Sequence, residues 1–227
     1  MAITLHQELM STTRNAMVVC SSTQFVVAQP VTASTDWRER LPLLGGESIT
    51  LRELKRSDAS TLCAMLSTEE VSRFVSPPPT TVEGYERFID WTHRQRAAGE
   101  LVCFGIVPDG MSEAVGLIQV RSLEKGFGTA EWGFALGSPF WGNGMFMEGA
   151  QLVLDFAFEQ IGVHRMEARS ASHNGRGNGA LQKLGAVQEL RLRQSFLKHG
   201  TYYDQFLWSI LDTDWTLRER DQPRLVS

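Results

Sequence analysis

The run Gly142-Asn143-Gly144 stands between a bulky Phe140-Trp141 pair and a strongly apolar segment. The residues after it sort by helical period into apolar stripes and a polar side, which predicts a helix beginning near Gly144. The first amides of such a helix have no intrahelical acceptor, and the macrodipole adds positive potential there. Glycines also remove the Cβ atoms that would keep a phosphate off the backbone. A ligand-free turn is nevertheless the commoner meaning of an isolated Gly-x-Gly.

Two named phosphate motifs do not fit this run. The chain has no GxxxxGK[ST] sequence, which excludes a P-loop. Met147 stands where a dinucleotide-binding fingerprint requires a third glycine, and the turn follows predicted antiparallel strands rather than a first βαβ unit. The spacing alone therefore leaves the ligand open.

The elements that must position this turn form a regular series. Alternating or continuous apolar runs bounded by turn residues predict strands at 48–54, 101–107, 114–121, 128–136, 163–169, 187–196 and 202–211. Capping residues and helical period predict helices after Ser57 or Asp58, after the capping-box sequence at 80–83, after Gly144, and at 178–184. This order predicts a mixed α/β (α+β) domain.

The chain divides into three predicted parts. Residues 1–45 form an extension that is partly disordered or packs on the domain, with one strand-like run at 24–28. Residues 46–212 form the domain, and 213–227 are a charged tail.

Composition narrows the possible partners. A formal net charge of -4 over 227 residues argues against a nucleic-acid partner. We expect no membrane span, because no stretch approaches 18 consecutive apolar residues. The scattered cysteines Cys20, Cys63 and Cys103 favour a reducing compartment, and we expect a cytoplasmic protein. The five histidines show no metal-ligand spacing, so we expect no metal.

Three segments resemble one family in order and spacing. They are 131–136 (EWGFAL) with 139–150 (PFWGNGMFMEGA), then 173–174 (HN) with 181–186 (LQKLGA), then 196–204 (FLKHGTYYD). The chain resembles the GNAT acetyltransferase superfamily across about residues 47–212. Within it, the chain looks similar to the branch of ribosomal-protein N-terminal acetyltransferases.

This resemblance implies a fold, a cofactor and a set of contacts. The fold is a mixed, mostly antiparallel central sheet flanked by helices, in which the fourth and fifth predicted strands (128–136 and 163–169) splay apart. Acetyl-CoA (coenzyme A) would bind with its pantetheine arm in that gap. The implied contacts are Phe134, Ala135 and Leu136 on the strand, Trp141, Gly142, Asn143, Gly144, Met145, Phe146 and Met147 around the pyrophosphate, and Asn174 and Gly177 across the gap.

The implied reaction is transfer of acetyl to an amine, with a small amine or a protein N-terminus as acceptor. The amine must lose a proton before it attacks, because an alkyl ammonium is mostly protonated at neutral pH. Glu131 is the candidate base, since it shares a strand face with Gly133 and Ala135, which leave room for a ligand. An ion-paired carboxylate is the alternative interpretation of Glu131. His173 is a second candidate base.

Several residues depart from the family pattern. Gly177 stands where this branch often has a serine, and Leu181 where other branches place a tyrosine that acts as an acid. A non-catalytic acyl-CoA sensor is therefore the alternative function. Phe146 replaces a small residue, and Arg176 is either near a phosphate or in a solvated loop. We expect the acceptor pocket at residues 74–79, the following helix and the last strands, and consider a homodimer possible.

Overall fold

The structure is a computed structural model that describes residues 36–75 and 78–221, with side chains as far as residue 217. Its centre is one eight-stranded sheet in the order β1-β2-β3-β4-β5-β6-β8-β7. The strands are β1 Leu44–Gly45, β2 Ile49–Glu53, β3 Leu101–Pro108, β4 Gly116–Ser122, β5 Thr129–Leu136, β6 Arg165–Ala171, β7 Val187–Lys198 and β8 Thr201–Leu211. Every neighbouring pair is antiparallel except β5 and β6, which are parallel.

Six α-helices flank this sheet in the described chain. They are α1 Ala59–Leu66, α2 Glu69–Ser72, α3 Val82–Ala97, α4 Met145–Asp155, α5 Gly175–Lys183 and α6 Asp212–Asp221. The helix predicted after 80–83 is confirmed as α3, but its N-cap is Thr81, whose side chain accepts the Gly84 N–H at 3.1 Å, rather than the predicted capping box of Thr80 and Glu83. Thr68 caps α2 in the same way, through the Val71 N–H.

The two faces of the sheet carry separate hydrophobic cores. On one face α1 and α3 cover residues such as Leu54, Leu101 and Cys103. On the other face α4 packs so closely that a Cβ on Gly149 would lie 3.2 Å from Ile49 Cδ1. The predicted apolar side of α4 is confirmed by this packing.

Both ends of the described chain contribute tryptophans to the second core. Trp37 packs edge-on against Phe127, with ring centroids 5.7 Å apart. Trp215, in α6, is buried and donates its indole N–H to Asp155 Oδ1 at 2.7 Å. The sequence did not predict α6, and the predicted strand at 24–28 lies outside the described residues.

Candidate active site

The defining feature of the site is the short pairing between β5 and β6. Their register runs from Thr129↔Arg165 only to Glu131↔Glu167. Both strands continue, β5 to Leu136 beside β4 and β6 to Ala171 beside β8. The inner edges of these two described strands therefore diverge after Glu131 and form a wedge-shaped gap. Backbone groups along both edges are left available to bind a ligand. The splayed pair predicted from the family resemblance is confirmed.

The turn from β5 into α4 has the geometry of an open cradle. Gly142 and Gly144 have φ values of 83° and 89°, a left-handed conformation that favours glycine. A Cβ added to either would meet no atom within 4 Å, so both glycines face open space. Asn143 Oδ1 accepts the Met145 N–H at 3.3 Å. The strand-to-helix turn predicted at Gly144 is confirmed, with Gly144 as the N-cap of α4.

The amides that follow are suited to an anion. Glu148 N–H bonds to Gly144 O at 3.1 Å, which closes the first helical turn. The amide N–H groups of Phe146 and Met147 come before that bond and have no hydrogen-bond acceptor within the helix. Together with the positive end of the helix macrodipole, they form a site for a phosphate group at the mouth of the gap.

Trp141 connects this cradle to both sides of the gap. Its indole N–H donates to Leu136 O, at the end of β5, at 2.7 Å. The Arg176 guanidinium, from the first turn of α5, lies 4.1 Å from the Trp141 ring centroid. The half-buried Trp141 therefore holds the cradle loop against the splayed strand and touches the helix on the opposite side.

Phe146 turns its ring inward rather than toward solvent. Its centroid is 4.4 Å from that of Phe134 on β5, and Phe134 in turn contacts Trp132 at 5.3 Å. The large side chain at this position is thus accommodated by an aromatic stack beside the gap.

Asn174 opens the helix on the other side of the gap. Its Oδ1 accepts the Gly177 N–H at 3.0 Å and caps α5, which leaves its Nδ2 as the donor end. A Cβ on Gly177 would lie 2.5 Å from Asn174 Nδ2 and 3.2 Å from Ser170 Oγ. Only glycine fits there without moving Asn174.

The start predicted for this helix, near residue 178, is corrected by the structure, in which α5 begins at Gly175. The glycines of 175–179 weaken helix propensity, but specific hydrogen bonds compensate. Asn178 Nδ2 donates to Ala171 O at 2.9 Å, and its Oδ1 accepts the Trp208 indole N–H at 3.0 Å. Asn178 thereby ties the first turn of α5 to β6 and β8.

Glu131 lies at the point where the strands separate. Its side chain is 21% exposed and accepts a hydrogen bond from Arg121 Nη2 at 2.6 Å. Arg169 Nε lies 3.5 Å from its other oxygen. Glu131 is therefore ion-paired, which was the alternative interpretation of this residue.

His173 lies in an aromatic cluster on the same side of the molecule as the predicted acceptor site. Its ring centroid is 4.7 Å from that of Tyr203 in β8 and 5.2 Å from that of Phe74 after α2. The side chain is exposed at its outer side. The cluster connects the β6–α5 loop, which carries Asn174, to the segment predicted to bind the acceptor.

An open depression lies beyond that cluster. Its volume is about 210 Å³, and its lining is Ser67, Ser72, Pro78, Thr80, Leu197, Lys198 and His199. The buried Lys198 ammonium donates to Ser72 O at 2.8 Å and Val75 O at 3.1 Å. Burial lowers the pKa of Lys198. The β7–β8 hairpin is therefore fastened to the end of α2. Residues 76 and 77 of the predicted acceptor segment lie outside the described residues.

The Tyr85 side chain, in α3, is buried and stays protonated at neutral pH. Burial raises its pKa to about 12, opposed by Ser67 and reinforced by the nearby Cys63. Its hydroxyl is buried and has no hydrogen-bond partner among the described residues.

Comparison with known proteins identifies this arrangement. A family model described as an acetyltransferase (GNAT) domain matches residues 48–187, more than half of the chain.

The chain belongs to the GNAT acetyltransferase family.

Named relatives agree with the branch seen in the sequence. The chain is 27% identical over 170 residues to "Uncharacterized N-acetyltransferase p20" of Bacillus licheniformis, covering 74% of this chain and 96% of that protein. It is 25% identical over 125 residues to the [ribosomal protein uS5]-alanine N-acetyltransferase of Escherichia coli, covering 55% and 63%. Mycobacterium smegmatis RimJ, solved with CoA-disulfide, has the same fold, with TM-score 0.69, 18% identity and coverage of 81% and 90%.

GNAT acetyltransferases use acetyl-CoA, and this site fits that cofactor. The open left-handed glycines and the first amides of α4 would hold the pyrophosphate. The splayed edge of β5 and Asn174 Nδ2 would hold the pantetheine amides. The structure thus brings together the two groups of residues predicted to bind the cofactor, whose individual contacts stay predictions.

Two residues at the site carried no sequence signal. Ser170 and Lys198 lie just beyond the predicted strands 163–169 and 187–196, and their positions depend on strand register and, for Lys198, on a contact across more than 100 residues. Among the residues that the structure describes, no helix is long and apolar enough to cross a membrane. The same residues contain no group of three or more histidine, cysteine or acidic side chains placed to hold a metal.

Proposed function

We propose that this protein transfers acetyl from acetyl-CoA directly to a primary amine, with both substrates bound together. The observation that carries the proposal is the gap between β5 and β6, which opens beside the glycine cradle. The contact of His173 with Phe74 joins the β6–α5 loop at this gap to the predicted acceptor segment. Bound acetyl-CoA supplies an activated acetyl thioester. A ternary complex needs a binding site for the cofactor and one for the acceptor.

Residues of the chain would polarise the carbonyl and position the cofactor. Backbone N–H groups on the free edge of β5 are suited to polarise a carbonyl. Pairing of the opposite edge with β4 holds the strand, and so these groups, in place. The cradle and Asn174 restrict the position of the cofactor, which raises the effective concentration of the reacting groups.

We propose Glu131 as the group that accepts the proton of the amine. It is the acidic residue of β5, and it lies at the narrow end of the gap, ion-paired with Arg121 and Arg169. His173 is the competing base, because it lies beside Asn174, is exposed, and contacts Phe74 of the predicted acceptor segment.

Substitution of Glu131 and of its neighbour across the sheet, Glu167, tests whether Glu131 or His173 is the base. Glu131→Gln lowers kcat at least about 100-fold if Glu131 is the base. Glu167→Gln is the matched control, since Glu167 is the register partner of Glu131 and is ion-paired with Arg165 at 2.9 Å. Full activity of Glu131→Gln together with loss of activity in His173→Asn would assign the base to His173.

We propose a protein N-terminus as the acceptor, ahead of a small amine. The depression is open rather than enclosed, and its lining combines hydroxyl, apolar and cationic groups that suit the first residues of a peptide. The named activity of the Escherichia coli relative, on the alanine of ribosomal protein uS5, supports the same class.

A thiol-release assay with a panel of peptides and small amines tests the function. Release that depends on a peptide N-terminus, and is abolished by N-terminal blocking, is the expected result. Tight binding of acetyl-CoA without acceptor-dependent release by any member of the panel would instead support the non-catalytic acyl-CoA sensor.

Two further predictions concern assembly and location. The exposed apolar residues Val187 and Leu190 on edge strand β7 support a homodimer, which light scattering of wild type and Leu190→Glu tests.

A cytoplasmic location is supported by Cys103, which is a buried thiol rather than half of a disulfide. Cell fractionation tests it.

A further inference from the structure

Ser170 is a buried hydroxyl without a hydrogen-bond partner. It lies on β6, three residues beyond Glu167, where β6 has separated from β5. The residue is 7% exposed, and its Oγ has no partner among the residues that the structure describes. Leaving a buried hydroxyl unpaired is unfavourable, so such a group in a binding gap indicates a partner that arrives with the ligand.

Ser170 Oγ is buried next to Gly177, in the first turn of α5. Oγ lies 3.2 Å from the position that a Cβ on Gly177 would take, so any larger residue at 177 would crowd it. Asn174, whose Oδ1 is occupied as the cap of α5, has its Nδ2 2.5 Å from the same Cβ position. Glycine at 177 thus leaves the capping amide and the serine hydroxyl as neighbours, with no side chain between them.

The chemistry of the proposed reaction requires a donor that no residue assigned above supplies. When the amine nitrogen bonds to the acetyl carbon, the carbon–sulfur bond breaks and its electron pair moves to sulfur. The amine proton leaves toward the base, and the sulfur must carry negative charge until it is protonated. Leu181, on the next turn of α5, is buried and apolar and cannot donate. A hydroxyl beside the sulfur would stabilise that charge.

We propose that Ser170 Oγ–H donates a hydrogen bond to the sulfur of coenzyme A as it leaves. This inference rests on the proposed acetyl transfer. Ser170 is then a catalytic residue that contacts a reacting atom, while Gly177 and Asn174 are positioning residues. The serine needs only to donate a hydrogen bond, and the thiolate takes its proton afterwards from solvent.

The first measurement is the ionisation of bound coenzyme A, followed by ultraviolet thiolate absorbance. A hydrogen bond to the thiolate lowers the pKa of the bound thiol. In Ser170→Ala that pKa is expected to rise by at least about one pH unit. Ser209→Ala is the matched control, because Ser209 is a buried serine on β8 whose hydroxyl donates to Glu189 at 2.6 Å.

The second measurement compares coenzyme A with desulfo-coenzyme A by calorimetry above the pKa of the bound thiol. Ser170→Ala should weaken binding of coenzyme A about 10-fold or more and leave binding of desulfo-coenzyme A unchanged. Unchanged desulfo-coenzyme A binding also shows that the variant is folded. Equal weakening of both ligands would assign Ser170 to a pantetheine amide and overturn the proposal.

The third measurement is steady-state turnover. Ser170→Ala should lower kcat about 10- to 100-fold, with little change in KM for acetyl-CoA. An unchanged thiol pKa in Ser170→Ala would overturn the proposal whatever the rate. If wild type transfers acetyl to no acceptor, the proposed function fails, whereas the two binding measurements still decide whether Ser170 contacts the sulfur.

Discussion

The guanidinium of Arg176 lies 4.1 Å from the centroid of the Trp141 ring, and this contact spans the gap between the cradle loop and α5. Cation–π contacts at partly exposed sites contribute about 0.5–1 kcal/mol. Removing the contact should loosen the mouth of the cofactor site, and it also removes a cation next to the proposed phosphate position.

Arg176→Ala should therefore weaken coenzyme A binding at least about 2- to 5-fold, measured by calorimetry at low salt. Arg73→Ala is a matched control, because Arg73 lies 5.3 Å from the Phe74 ring in a similar contact outside the cradle. Equal affinity in Arg176→Ala and wild type would show that the contact has no role in binding.

Gly144→Ala should lower both stability and coenzyme A affinity. A non-glycine residue in the left-handed conformation costs about 1–2 kcal/mol, and the added Cβ would project into the open space of the cradle. Gly162→Ala provides the comparison, since Gly162 has a φ of 83° and equally open surroundings at the end of the helical turn after α4. Thermal melting should show similar losses in the two variants, whereas calorimetry should show an affinity loss at Gly144 alone.

Asp58→Asn should be the most destabilising of these substitutions. The carboxylate of Asp58 is fully buried and forms two 2.8 Å bonds with Arg52, whose charge would be left without its partner. Breaking a buried pair on one side costs about 3–5 kcal/mol, measured by urea denaturation. Asp90→Asn, at the exposed pair with Arg56, is the control and should change the midpoint little.

The same carboxyl makes stability depend on pH. Burial opposes its ionisation, but hydrogen bonds from Arg52 and from the Lys55 and Ala114 amides outweigh burial and lower the pKa of Asp58. A carboxyl with a lowered folded-state pKa stabilises the protein above its unfolded pKa, and this contribution is lost as pH falls through the folded value. The stability difference between wild type and Asp58→Asn should therefore shrink as pH drops below about 4. A difference independent of pH would contradict this account.

Lys198→Met should affect the acceptor and spare the cofactor. The substitution leaves Ser72 O and Val75 O without their donor, which frees the β7–β8 hairpin from α2. We expect KM for the peptide acceptor to rise about 5- to 10-fold with KM for acetyl-CoA unchanged. Lys125→Met, in the exposed turn before β5, controls for the loss of one positive charge. A parallel rise in both KM values would indicate a general loss of structure instead.

The features predicted well from sequence depend on local rules. The glycine turn at 142–144 and the apolar side of α4 follow from residue type and period, so both were found. The gap itself depends on where the pairing of β5 with β6 stops, which no periodic pattern encodes, and it was predicted only through the family resemblance. Ser170 was missed because a serine in a strand has no signal until its missing partner is known. The early start of α5 was missed because Asn178 contacts two distant strands.

The position of Trp141 also gives the protein an optical reporter. Of its six tryptophans, four are buried in the cores and two, Trp91 and Trp141, are partly exposed. The four buried ones are Trp37, Trp132, Trp208 and Trp215. Trp141 alone of the six lies on the cradle loop and contacts Arg176. The indole fluorescence of Trp141 can therefore report when coenzyme A reaches the cradle, without an attached dye.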